Sequence, residues 1–95
     1  MSLESLPTAR FRLGQIVSTP NALSQLTLED ILAAIQRHEA GDWGEVDAHD
    51  RAANDHALRD GTRLFSVYRS ASGVKFWIIT EADRSSTTIL LPEDY

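Results

Sequence analysis

The stretch Leu64–Leu91, LFSVYRSASGVKFWIITEADRSSTTILL, decides the fold. Short apolar runs rich in aromatic and β-branched residues alternate in it with polar turns, which is the pattern of strands joined by tight connections. It reads as strands over 63–69, 74–80 and 86–91, with turns at 70–73 and 81–85. Pro92 ends the run because it has no N–H to give to a ladder. Connections this short join neighbours antiparallel, so the three strands form a meander. The middle strand carries Phe76 and Ile78 on one side and Trp77 and Ile79 on the other. Helices are therefore expected over one face, with partial cover on the second.

Working back from the sheet, the periodicity changes from two to that of helices. Thr27 with Asp30 three residues on approximates a capping box, and Leu28, Ile31, Leu32 and Ile35 follow one helical face. That stripe is expected in the core, in a helix ending near Ala40 before Gly41. Thr19-Pro20 predicts a short helical turn through Leu26, with Leu23 and Leu26 facing inward. Phe11–Val17 reads as a first strand. Asp47 is placed to cap a helix over Ala48–Asp60 that closes at Gly61 and carries the acid-first pairs Asp47–Arg51 and Asp55–Arg59. Its core face is thin, Leu58 helped by Ala52, Ala53 and Ala57. The expected fold is α+β, a helical N-terminal half packed on a three- to four-stranded antiparallel β-meander, in the order β, short α, α, α, β, β, β. Residues 10–95 form one domain and Met1–Ala9 a loosely held tail.

Ninety-five residues suffice for one small core. The absence of cysteine removes disulfides and thiolate chemistry together, which suits a reducing compartment. With no basic-then-apolar start and no apolar run of the roughly 18 residues a membrane span needs, a cytoplasmic location is expected. A net charge of −5 opposes general attraction to phosphate backbones and suits a basic protein partner. Lys75 is the one lysine, so positive charge is carried by arginine.

The segments Gly41–Val46 (GDWGEV), Trp77–Ser85 (WIITEADRS) and Thr87–Tyr95 (TTILLPEDY) resemble a group of small bacterial proteins carried on plasmids and other mobile elements. Members are labelled plasmid-related or, in some cases, type I restriction subunit M. Restriction methyltransferase subunits are several times longer and need a cofactor-binding glycine motif and a catalytic Asn-Pro-Pro-aromatic motif, and neither occurs here. No catalytic residues come with the resemblance. It implies a context of mobile DNA, in which small accessory proteins regulate the element or interfere with host defence.

The candidate binding surface lies in the acidic run from Glu39 to Asp60, which holds Asp42, Glu45, Asp47, Asp50 and Asp55 against Arg51 and Arg59. Asp42, Trp43, Glu45, Asp47 and Asp50 are the expected partner contacts, with Trp43 as an apolar anchor in a polar rim. The alternatives for Trp43 and the acids are a core plug and a solvated helix face. The three histidines, His38, His49 and His56, invite a metal reading. However, His49 and His56 stand seven residues apart, about 10 Å along a helix, too far for one ion; no metal and no cofactor is expected. A hydrolase or nuclease would recruit His49 or His56 as base, Tyr68 and Arg69 or Arg84 as partners, and Glu81 or Asp83 as acid, yet no motif groups them. A nucleic-acid regulator would need Arg12, Arg63, Arg69 and Arg84 to converge on one face. Exposed sheet edges or the second apolar face offer a route to a homodimer. The favoured function is a non-enzymatic accessory protein that works by protein–protein binding, as a counter-defence inhibitor or regulator.

Overall fold

Strands β2 (Leu64–Arg69), β3 (Lys75–Thr80) and β4 (Ser86–Leu90) form the antiparallel ladder that the alternating pattern predicts, in a computed structural model that describes residues 9–95. The tail expected over Met1–Ala9 lies, apart from Ala9, outside the described residues. A fourth strand, β1 (Gln15–Ser18), joins the free side of β4, giving the order β1-β4-β3-β2. It runs parallel to β4, with Gln15 beside Ser86 and Ser18 beside Ile89. The sheet is therefore mixed, which corrects the all-antiparallel meander. The physical reason is the intervening helices: a strand that re-enters its sheet after a helical crossover comes back parallel.

The helices are α1 (Pro20–Gln25), α2 (Leu28–Glu39) and α3 (Ala48–Asp60). Each starts where a side-chain oxygen satisfies orphan backbone donors: Thr19 accepts from Ala22, Thr27 from Asp30, and Asp47 from Asp50. At the start of α2 the box is reciprocal, since Asp30 also accepts from the Thr27 N–H. Gly61 closes α3 in the left-handed conformation.

Two expectations shift. Helix α2 buries Ile31, Ala34, Ile35 and His38, while Leu28 and Leu32 are 67% and 53% exposed, as is Leu23 of α1 at 60%. The buried set still has helical spacing, but its fourth member is a histidine whose ring nitrogens are satisfied by hydroxyls from the sheet, so a purely apolar count rotates the helix wrongly. Strand β1 begins at Gln15 rather than Phe11; Phe11 and Leu13 pack against the core from irregular backbone.

The core has two parts. Ile31, Ile35, Tyr68, Phe76, Ile78 and Ile89 fill the space between α1, α2 and one sheet face. Trp43, Val46, Ala57, Leu64 and Val67 gather at the outer edge of β2, with Phe11, Phe65 and Trp77 against them. Fully burying one such side chain contributes on the order of 1.5–3 kcal/mol. Gly44 sits on this edge with φ 74°, its backbone bridged to Val67, and a Cβ there would collide with the Val67 carbonyl and the Tyr68 ring. Only glycine allows that approach.

Candidate functional site

Buried polar groups gather first around His38, which is fully shielded from solvent. Its Nδ1 lies 2.6 Å from Ser66 Oγ and its Nε2 2.9 Å from Thr80 Oγ1. Thr80 Oγ1 is 2.8 Å from Thr87 Oγ1, which donates to the Leu13 carbonyl at 2.7 Å. A carbonyl can only accept, and each hydroxyl has one proton, so the direction of the whole chain follows. Thr87 donates to Leu13, Thr80 to Thr87, His38 Nε2–H to Thr80, and Ser66 to Nδ1. Burial, with the Arg84 charge nearby, lowers the His38 pKa from 6.5 to about 3, so the ring is neutral. Phe11 and Trp43 roof it, both edge-on, at 5.2 and 5.7 Å between ring centroids.

The Ser66–His38 pair has the distance of a nucleophile and its base, but it lacks the rest. Ser66 is as inaccessible as His38, and the second imidazole nitrogen meets a threonine rather than a carboxylate. The chain holds α2 on the sheet and ties Leu13 to β4.

The other residues singled out by sequence scatter. His49 is exposed on α3, and exposed His56 pairs with Asp60 at 2.9 Å. Among the described residues no three His, Asp or Glu side chains are grouped as metal ligands. Tyr68 buries its phenol and donates to the Asp42 carbonyl at 2.5 Å; burial pushes its pKa up. Glu81 stands at the opposite end of the β2–β3 hairpin from Tyr68. Arg63 and Arg69 are likewise at opposite ends of β2, about 20 Å apart at a strand's rise. Arg84 turns inward: its guanidinium donates to the carbonyls of Ala57, Thr62, Glu81 and Ala82, pinning the β3–β4 turn to the end of α3. Neither the hydrolytic set nor the arginine face is brought together.

The expected partner contacts divide. Asp42 is paired with Arg37 at 2.7 Å, which holds its carboxyl below the usual range, and Glu45 is paired with Arg69 at 3.1 Å. Asp47 caps α3. Trp43 is 3% exposed, with its indole N–H on Asp55 at 3.1 Å, so it is the core plug and not a surface anchor. The signal for this was present in its flanking glycines, since Gly44 lets the loop lie flat on β2 and turns the indole inward.

Asp50 alone of the five turns to an open apolar surface. On the face of the sheet away from α1 and α2, Asp50, Arg63, Phe65, Trp77, Ile79 and Tyr95 line a groove of about 280 Å³. Phe65 meets Trp77 edge-on at 5.1 Å between centroids, and Trp77 meets Tyr95 at 5.7 Å and 65°. Tyr95 is 70% exposed and is held by Arg63, which donates to its hydroxyl at 2.9 Å and lies 5.6 Å from its ring centroid. Beyond this bridge a smaller hollow of about 110 Å³ continues over Thr88 and Leu90. Composition alone could not reveal this groove, because Phe65 and Trp77 read equally well as core.

No protein-family model, no curated protein and no solved structure matches the chain.

Proposed function

We propose that this protein is a non-enzymatic binding module, an accessory protein of a bacterial mobile element that acts on a cytoplasmic protein partner as a counter-defence inhibitor or regulator. The observation that carries the binding reading is the open aromatic groove formed by Phe65, Trp77 and Tyr95 on the sheet face away from α1 and α2. Aromatic residues are enriched in protein–protein interfaces, where they act as anchors within a polar rim. The contact surface is accordingly the groove rather than the Trp43 loop, with Asp50 near the start of α3 as its acidic margin. The mobile-element setting is supported by the resemblance of the Gly41–Val46, Trp77–Ser85 and Thr87–Tyr95 segments.

The test is site-directed photocrosslinking in a bacterial host, with p-benzoylphenylalanine in place of Tyr95 or, as the control, of exposed Leu32 on the opposite side. A discrete protein adduct at position 95 and none at 32 supports the groove. Adducts at 32 alone, or equally at both, would reject it.

A second reading is a homodimer through β1. Backbone bonds from Gln15 and Thr19 reach toward β4, the other side of β1 has no strand partner among the described residues, and its Ile16 and Val17 are 48% and 38% exposed. Sedimentation velocity of the wild type and of Ile16→Lys distinguishes the two: an unchanged monomer at all concentrations removes this reading.

A further inference from the structure

The geometry points to an arginine side chain, presented by a basic segment of the partner, as the group that the Phe65–Trp77–Tyr95 groove receives, with the Asp50 carboxylate as its counter-ion. This rests on the reading of the groove as the docking face and specifies what that face recognises.

Three observations converge on a cation. First, the charges lining the two joined hollows do not balance. Arg63 faces Glu81 at 3.8 Å, whereas Asp50 has no side-chain partner among the described residues. One carboxylate is thus left over beside an apolar surface, where an opposite charge is worth more than in open water. Second, the rings are arranged edge to face rather than packed flat together, at 81° and 65°. Neither pair is stacked face to face, and the π faces of aromatic rings attract cations. Third, the molecule already makes this contact within itself, because the Arg63 guanidinium lies over the Tyr95 ring with an N–H on its hydroxyl. A planar guanidinium suits stacking between aromatic walls better than a compact, strongly hydrated ammonium. The −5 net charge of the chain adds long-range attraction for a basic segment.

The experiment is an NMR titration of the full chain with N-acetyl-argininamide, compared with N-acetyl-citrullinamide, which keeps the shape and loses the charge. The expected result is saturable shifts at Phe65, Tyr95 and the Trp77 indole, with the Trp43 indole unmoved as an internal control. Citrullinamide binds at least five-fold more weakly, and Asp50→Asn loses the same factor for argininamide while remaining folded. Equal binding of both probes, or an Asp50→Asn variant that binds argininamide as the wild type does, overturns the cation and leaves the groove as a neutral docking surface. Shifts that avoid the groove, or no shifts with either probe, overturn the proposal altogether; the crosslink at position 95 then decides separately whether a protein docks there.

Discussion

The side-chain amide of Asn54 is bonded twice to the backbone of Phe65, donating to its carbonyl at 2.6 Å and accepting from its N–H at 3.0 Å. Asn54 thereby takes the place of a neighbouring strand on the outer edge of β2. Two residues on, Val67 donates to the Trp43 carbonyl and accepts from the Glu45 N–H, so the outward-facing groups of both residues are satisfied. One edge of the sheet is sealed by a helix side chain and a loop.

Asn54→Leu keeps the volume but leaves a buried N–H and C=O without partners. It is expected to destabilise the fold by about 2–4 kcal/mol, the desolvation penalty of two groups. Urea denaturation checks the magnitude. Light scattering should also show concentration-dependent association through the opened edge, and a loss below 1 kcal/mol would contradict the sealing role.

The neutral His38 makes stability fall with acid. Its folded pKa lies near 3, below the unfolded 6.5, so above pH 6.5 the group contributes no pH dependence. As pH drops below 6.5 the unfolded chain takes a proton that the folded one refuses, and stability declines by up to about 1.4 kcal/mol per unit until pH 3. Thermal melts from pH 7 to 5 should show a loss of about 2 kcal/mol. His38→Gln should start less stable and show a flatter profile over that window. Imidazole 15N shifts should report the proton on Nε2.

Below pH 4 a second loss of the opposite chemical origin sets in. Asp94 is held below the usual carboxylate range by the Thr19 hydroxyl and the Leu91 N–H, and Asp30 by the N–H groups of Ala71 and Thr27. Folded pKa values lowered in this way stabilise above the unfolded value, and the benefit disappears as the carboxylates protonate. Asp94→Asn should shrink the acid transition without altering the slope between pH 5 and 7.

How much of this was legible in the sequence depends on the kind of signal. Caps and periodicity placed α2, α3 and the three-strand ladder, because Thr27, Asp47, Gly61 and the period-two runs act locally. The rotation of α2 was hidden, since His38 becomes a core residue only when Ser66 and Thr80 arrive from 28 and 42 positions away. The groove was hidden for the same reason: Trp77 lines it only once Asp50 and Tyr95 arrive from other elements. Asp50 was picked out by its charge, and the structure gives it a setting; Trp43 was picked out by its type, and the structure buries it.

The corrected face of α2 makes a contrast that mutagenesis resolves. Leu32→Gln, on the exposed side, should change stability by no more than about 0.5 kcal/mol. Ile35→Ala, on the buried side, should cost about 2–5 kcal/mol. Similar losses in both would restore the rotation that the apolar count suggests.

Arg84 occupies the left-handed region at φ 62° while bonding four carbonyls. Arg84→Gly relieves the backbone and removes the bonds. A net destabilisation of about 2 kcal/mol or more is expected, since bonds to a charged donor contribute about 1.5–3 kcal/mol each. A more stable glycine variant would show that conformational strain is the larger effect.

The pairing of β1 with β4 has a consequence for how the chain acquires its structure in time. The ladder β2–β3–β4 joins near neighbours, whereas β1 waits for the last strand, and Thr19 for Asp94, a partner 75 positions later. During synthesis the first strand therefore leaves the ribosome long before its mate exists. Closure of the sheet is a late, long-range event, slow relative to the hairpins that precede it. Until it happens, both sides of β1 lie open, so newly made chains have their greatest exposure to mispairing in the interval before the final strand is released.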